Sequence, residues 1–281
     1  MPSGVGTLLP DGWGAPVRWV FFVMRRIVFL FFTCLFCTAA AAMPNAPARV
    51  VSLDLCTDRM LMLHAPRAQV AALSPMHRRF PSGPMQGDWP WHDGSLEQVV
   101  RLQPDLIITG EYNAMQTRQR LAALGYRVEI LPLPTTPDEI QQYEQRLLAL
   151  LGLPPERATP PVPFLPAPPE PRRLLLLGAN GIGTGRDTFE DGILTRAGWT
   201  NYLPESGLAR PDLERIVADP PDAILWAAPD NHALANLFAE HPALHAAVPP
   251  SRWLHADFWR GQCPGPWTWA LVRQLHQNLP Q

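Results

Sequence analysis

Two stretches of this chain carry the same pattern in the same order. Leu96-Glu97-Gln98-Val99-Val100 leads to Pro104-Asp105-Leu106-Ile107, and Leu213-Glu214-Arg215-Ile216-Val217 leads to Pro221-Asp222-Ala223-Ile224. In each, the glutamate precedes the proline by seven residues. Proline breaks a helix interior and pushes the residue before it out of the helical region. Each copy therefore predicts a short helix, a turn and a buried apolar strand. One copy alone is an ordinary helix–turn–strand. Two copies in register, one in each half of the chain, predict two equivalent α/β lobes.

The surrounding sequence extends that pattern. Before and after the first copy, strands are expected at residues 49–53, 69–73, 106–109 and 127–131. Helices are expected at 60–64, 96–102 and 114–124, with turn and cap residues at 54–58 and Gly125 closing the last helix. Residues 74–94 read as a loop rich in Pro, Gly and Trp. Thr136-Pro137-Asp138-Glu139 opens a helix to about residue 151, after which residues 153–171 hold nine prolines in 19 positions. Such a density favours extended chain and marks the clearest boundary. The second half predicts strands at 173–177, 222–226 and 253–256, and helices at 188–197, 212–218, 231–248 (broken near Pro242) and 267–279. Alternating strands and helices imply mainly parallel sheets flanked by helices.

The expected organisation is a targeting segment over residues 1–42, an N-terminal α/β lobe over 43–135, a connecting helix and proline-rich linker over 136–171, and a C-terminal α/β lobe over 172–281. The length of 281 residues and the 47% hydrophobic content suffice for two modest cores. Met24-Arg25-Arg26, the apolar run at 27–36 and the alanines at 39–42 read as a signal peptide starting at Met24, so the protein is expected to be exported to the periplasm. Without residues 1–42, 20 arginines face 24 acidic side chains, a net charge of −4. With no basic block, a nucleic-acid partner is not expected. Cys34 and Cys37 leave with the signal, and Leu35-Phe36-Cys37 places a bulky ring where lipidation wants a small residue. Cys56 and Cys263 remain, either paired or as two thiols; their spacing does not decide.

Several motifs are excluded by spacing. The run from Gly178 to Gly185 has glycines as G-x-x-G-x-G-x-G, and no Gly-Lys-Ser/Thr follows, so it reads as a turn rather than a nucleotide loop. His241 and His245 are four apart, but no glutamate follows the first as a zinc protease requires. An exported hydrolase is the alternative of another class, and no G-x-S-x-G elbow occurs. Neither an enzyme nor a resident cofactor is expected.

From residue 49 to residue 279 the chain resembles the periplasmic binding proteins of ABC importers that carry ferric siderophores and vitamin B12. The residues that carry the likeness are Arg49-Val50-Val51-Ser52-Leu53, Trp91 with Leu96-Glu97 and Pro104-Asp105, Leu124-Gly125, Gly185-Arg186-Asp187-Thr188-Phe189, and Asp257-Phe258-Trp259. The resemblance implies two lobes facing across a ligand cleft and joined by a long helix, acting as a monomer. It implies that Glu97 and Glu214 dock into arginine pockets of the inner-membrane permease, a role that suits carboxylates on first helical turns. The plainer reading of either glutamate alone is stabilisation of its own helix. It further implies ligand contacts from Trp91, Tyr112, Arg210, Phe258 and Trp259 on loops at strand ends, with Trp89, Arg78 and Arg79 as weaker candidates. Aromatic faces and arginines suit a bulky, partly anionic chelate, whether siderophore or cobalamin. His77, His92 and His255 near that mouth make haem or a bare metal ion such as zinc the alternative ligand. One departure stands out, since the helix stops near residue 151 and prolines follow. Either the rod is shortened and the prolines trace the surface, or the lobes are joined less rigidly.

Overall fold

The computed structural model describes residues 46–81, 87–228, 233–256 and 263–279. The expected targeting segment lies outside these residues, as do Phe258 and Trp259. β1 (Val50–Ser52) is buried along its whole length, as a parallel strand covered on both faces must be. The Asp54 carboxylate accepts the Cys56 and Thr57 amides and so starts α1 (Leu55–His64). β2 (Val70–Ala72) leads to a one-turn helix, α2 (Met76–Arg79), inside the stretch expected to be loop. Ser95 caps α3 (Leu96–Arg101), which runs into β3 (Leu106–Gly110). α4 (Met115–Ala123) is followed by Gly125, whose φ of +88° suits a residue without a Cβ. β4 (Val128–Leu131) completes a sheet of order β2-β1-β3-β4 in which every pair is parallel.

The connecting helix begins as a 3-10 turn and continues as α5 (Ile140–Leu150). The second sheet then forms from β5 (Arg173–Leu177) and β6 (Gly183–Thr184), with α6 (Phe189–Arg196) capped by Thr188. β7 (Thr200–Asn201), β8 (Leu208–Ala209), α7 (Leu213–Ala218) and β9 (Ala223–Trp226) follow. α8 (Pro242–Ala247), β10 (Trp253–His255) and α9 (Thr268–Gln277) close the chain. The order is β10-β9-β5-β6-β8, with β7 also on β5. β10, β9, β5 and β7 run parallel, whereas β6 runs antiparallel to both of its neighbours, β5 and β8.

Two expectations are corrected here. The glycine-rich run is not only a turn, because Gly183 and Thr184 form β6. The helix expected over 231–248 is not one helix with a break. Among the described residues it is a 3-10 turn at Leu234–Asn236 and the separate α8, and Pro242 starts α8 behind a His241 side-chain cap. Proline at the first helical position lacks only an amide that would have had no partner there.

The repeated Pro-Asp has a structural cause. Asp105 accepts the amides of Ala48 at 2.7 Å and Arg49 at 3.0 Å. Asp222 accepts the Arg173 amide at 2.7 Å. Each aspartate thus clips the entrance of its own strand (β3 or β9) to the entrance of the first strand of its sheet (β1 or β5), fixing Val50 against Leu106 and Leu174 against Ala223.

The proline-rich segment is bound down rather than loose. Ile140, at the start of α5, is buried in the core of the second sheet, while Tyr143, Leu147 and Leu151 are buried in the core of the first. α5 therefore runs back toward the first sheet, and the proline segment returns from it. On the way it is held twice. The fully buried Glu144 accepts both the amide and the hydroxyl of Thr159, at 3.0 and 3.1 Å, and also binds His64 Nε2 of α1 at 2.8 Å. Farther along, Arg196 of α6 donates to the Val162 carbonyl and to Asp138, and its guanidinium lies 4.4 Å from the Phe164 ring centroid. The Leu165 amide in turn donates to the Arg196 carbonyl. A Cβ at Gly198 would come within 2.9 Å of the Pro166 carbonyl oxygen, so only glycine lets the strap lie this close. The helix ends at Leu150, and the proline-rich segment that follows lies mostly at the surface.

The chain crosses once more before it ends. Cys263 and Trp267 are buried in the core of the first sheet, whereas Trp269, Leu271 and Leu275 of α9 are buried in the core of the second. Cys263 is bonded to Cys56 in the first turn of α1, a bridge between residues 207 positions apart. The strap hypothesis gives a graded expectation. Glu144→Ala strands His64 and the Thr159 amide and should lower stability by about 3 kcal/mol. Thr159→Val removes one hydroxyl bond and should cost about 1 kcal/mol. Urea unfolding midpoints of the two variants measure both, and equal small losses would show that Glu144 does not hold the strap.

Candidate ligand site at the carboxyl ends of the sheets

In a parallel sheet all carboxyl ends lie on one edge, and loops from that edge build ligand sites. In the first sheet the edge rests on a buried polar network. Asp54 Oδ2 accepts the Gly110 amide at 2.5 Å and the Thr57 hydroxyl at 3.0 Å, and the hydroxyls of Ser52 and Thr57 are 2.6 Å apart. Asp58 was expected among the turn and cap residues. It is instead fully buried on α1, accepting the Ser74 amide at 2.8 Å and the Ser74 hydroxyl at 2.5 Å. This network ties the ends of β1, β2 and β3 into one rigid floor. Its acids were visible in the sequence, but their burial depends on contacts that pair residues 16 and 56 positions apart.

Above this floor stand the side chains that were singled out. Trp91 pairs backbone-to-backbone with Leu73 just beyond β2, and it is 44% exposed. The guanidinium of Arg78 lies 4.7 Å from its ring centroid. Tyr112 follows β3 and is 75% exposed, on a loop whose Gly110 and Glu111 carbonyls are held by Arg118. Trp91 and Tyr112 therefore flank the end of β1 on either side. Arg210 is exposed on the other sheet, between β8 and α7. Trp89 is partly buried against the first core under Arg67, at 4.5 Å, and serves packing. Glu97 and Glu214 are exposed in the first turns of α3 and α7, and neither enters an ion pair among the described residues.

The three histidines separate by their hydrogen bonds. His92 is 2% exposed; its Nε2 donates to the Ser52 carbonyl at 2.8 Å and its Nδ1 accepts the Gly94 amide at 3.0 Å. Burial also pushes its pKa down, so the ring is neutral and both nitrogens are used. It cannot ligate a metal, which corrects its place among the candidates. His255 is exposed at the end of β10. His77 is half-buried beside Arg78, and its Nδ1 donates to the Ser74 carbonyl at 2.8 Å. That bond fixes the tautomer and leaves the Nε2 lone pair available, the arrangement usual for a metal-ligating histidine. Arg59, buried on α1, donates to the Phe80 carbonyl and anchors the end of the turn that carries His77. Among the described residues no group of three His, Cys, Asp or Glu side chains is placed to hold a bare ion.

The second sheet presents a different surface. A recess of about 260 Å³ opens where β5, β9 and β10 end, between the sheet and helices α6 and α9. Among the described residues its lining is mostly aliphatic, with Thr184 and with Glu190, whose pKa is raised by burial. Nothing in the sequence pattern marked Glu190, which looks like any acidic residue in a first helical turn.

The fold has known parallels. The chain is similar to a periplasmic haem-binding protein from Pseudomonas aeruginosa, with 20% identity, a TM-score of 0.61, and coverage of 82% of this chain and 91% of that one. It is similar to the periplasmic haem-binding protein HutB of Vibrio cholerae at 17% identity and TM-score 0.64, covering 82% and 97% of the two chains. A third parallel is the periplasmic vitamin B12-binding protein BtuF of Vibrio cholerae, at 18% identity and TM-score 0.59, covering 83% and 96%. No family model matches the sequence, and no curated protein matches it.

The buried Asp58 makes the floor pH-sensitive in a defined direction. Burial raises its pKa from 3.8 to about 7, so the folded state holds a proton that the unfolded chain has released. Stability from this group is present below pH 4 and is lost as pH rises from 4 to 7, on the order of 4 kcal/mol in all. Asp58→Asn, which can keep both bonds to Ser74, should remove that slope, so the variant gains on the parent as pH rises. Parallel slopes in chemical denaturation at pH 4, 5, 6 and 7 would show that Asp58 does not titrate there. By its architecture of two α/β lobes with mainly parallel sheets, the chain has the fold of the periplasmic solute-binding proteins.

Proposed function

We propose that this protein is the exported substrate-binding component of an ABC importer, which captures a bulky metal chelate in the periplasm and delivers it to an inner-membrane permease. The observation that carries the reading is the cluster of His77, Arg78 and Trp91 at the carboxyl edge of the first sheet, with Tyr112 across the end of β1. An exposed indole under a guanidinium offers a flat apolar face and a positive charge together, which suits a large conjugated or chelated ligand with anionic groups. The fold's known parallels bind haem and vitamin B12, and their size class agrees with this surface. Within the class, His77 favours haem, because an imidazole with its Nδ1 proton fixed presents Nε2 as an iron ligand. Siderophores and cobalamin need no such imidazole.

The permease contacts are assigned to Glu97 and Glu214. Both are exposed, both sit on first helical turns, and their equivalent placement in the two repeats gives the pair one role. The Pro-Asp part of each repeat is accounted for by strand clipping. Among the described residues neither glutamate enters an ion pair, and this supports an external role. Carboxylates held this way pair well with arginine forks.

Titration of the protein's tryptophan fluorescence with haem, cobalamin and a ferric hydroxamate tests the ligand. Saturable one-to-one quenching by one of them is expected. For haem, His77→Ala should weaken binding about tenfold or more and change the haem absorption spectrum. An unchanged spectrum would remove His77 from the site, and failure of all three ligands to saturate would overturn the chelate reading. Separately, Glu97→Ala combined with Glu214→Ala should abolish uptake in cells while leaving ligand affinity intact; normal uptake by the double variant would remove the docking role.

A further inference from the structure

Helix α2 is too short to hold itself in place. Its four residues are closed by the bond from the Phe80 amide to the Met76 carbonyl, at 2.9 Å. A single helical turn fixes several backbone angles for one hydrogen bond and is unfavourable on its own. Yet this turn carries His77, and with it the Arg78 guanidinium that lies over Trp91.

α1 grips the turn at both ends with two successive ionisable residues, both buried. Before the turn, Asp58 accepts the Ser74 amide at 2.8 Å and the Ser74 hydroxyl at 2.5 Å. After the turn, Arg59 donates to the Phe80 carbonyl. Burying such groups is costly, and apolar residues of like volume are often as stabilising. What hydrogen bonds add over apolar contact is direction, because they orient the backbone they bind.

Ser74 is the joint on which this direction acts. Leu73, just before it, pairs with the Trp91 strand, receiving the His92 amide at 3.0 Å and donating to the Pro90 carbonyl at 2.8 Å. On the other side, His77 Nδ1 donates to the Ser74 carbonyl at 2.8 Å, and the Met76 amide donates to the Ser74 hydroxyl at 3.2 Å. Asp58 therefore fixes the amide and hydroxyl of the residue whose carbonyl fixes the imidazole. A ring oriented in advance spares a ligand the cost of ordering it.

We propose that Asp58 is a positioning residue of the ligand site, which by holding Ser74 keeps His77 in its Nδ1–H tautomer with the Nε2 lone pair available. The inference rests on the reading of the His77–Arg78–Trp91 cluster as that site, but the state of the ring can be measured without any ligand.

Long-range proton–nitrogen NMR spectra of the unliganded full chain, at mildly alkaline pH, read the tautomer directly. The parent should show His77 as the Nδ1–H form. Asp58→Ala should move its signals toward the Nε2–H form that an unconstrained histidine prefers. Asp58→Asn, which can keep both bonds to Ser74, should restore the parent spectrum. His92, whose Nε2 proton is fixed by Ser52, should stay unchanged throughout and reports that the floor is intact. Haem titration reads the consequence: Asp58→Ala should weaken binding about tenfold, and Asp58→Asn should not. In a His77→Ala background Asp58→Ala should change affinity by less than about twofold, because a residue acting through His77 then has nothing to act on. The proposal is overturned if the parent ring is not the Nδ1–H form, if Asp58→Ala leaves its tautomer unchanged, or if that substitution weakens haem equally in both backgrounds. A tautomer shift as expected in a parent that binds no haem supports the positioning role and counts against haem as the ligand. Should Asp58→Ala fail to fold, as thermal unfolding will show, Ser74→Ala removes the hydroxyl bond alone and is judged by the same outcomes.

Discussion

The fully buried carboxylate of Glu144 joins three pieces of chain that are distant in sequence. It binds His64 at the end of α1, it belongs to α5, and it accepts two hydrogen bonds from Thr159 in the proline-rich strap. A buried carboxylate without partners would be among the most costly groups in the molecule, so each of these pieces is fixed by the need to satisfy it. The strap in turn supplies Val162 and Leu165 to the second core and the Val162 carbonyl to Arg196. The proline-rich linker is thus a structural element, and proline suits it. Residues that lack an amide and keep φ near −65° lose little entropy on being held in an extended path, and they leave few backbone donors to satisfy.

The repeated Leu-Glu…Pro-Asp pattern separates, in three dimensions, into a part that builds the fold and a part that does not. Asp105 and Asp222 are used inside the molecule, clipping one strand entrance to the next. Glu97 and Glu214 face outward. This division explains why the fold was so legible. Strand and helix positions follow from apolar runs and breakers within ten or so residues, and those local signals agree with the tertiary clips. β5 was readable to the residue, and β1, β3 and β9 to within one or two. The misses lie where distant chain decides. β6 exists because Gly183 and Thr184 pair with Leu177 and with the distant Ala209 and Leu208. The Cys56–Cys263 bond exists because residues 263–267 return to the first core, and no spacing rule carries that information.

Site residues were legible to a lesser degree, for a physical reason. A residue on a loop at a strand end can be named from its position, and Trp91, Tyr112 and Arg210 do lie on such loops. Its chemistry depends on which groups surround it, and that is a matter of packing. His77 and His92 are equivalent in sequence, each a histidine near the expected mouth. One keeps a nitrogen lone pair available. The other spends both nitrogens on the backbone of Ser52 and Gly94. Asp58 and Glu190 are similar cases, since each is an unremarkable acid on a helix until the surrounding chain removes water from it.

The two lobes, similar in plan, present unlike surfaces at their carboxyl edges. On the first sheet the edge rests on Asp54, Thr57, Asp58 and Ser74, whose hydrogen bonds lock the strand ends together. The side chains exposed above the floor, Trp91, Arg78 and Tyr112, are aromatic and cationic. On the second sheet, small residues end the strands and the core is left open to a depth that aliphatic walls define. A filled polar floor resists deformation because each bond it holds is buried, whereas an apolar recess gains most when its occupant excludes water completely. The two sheets thus share the strand clips at their entrances and differ at their carboxyl edges.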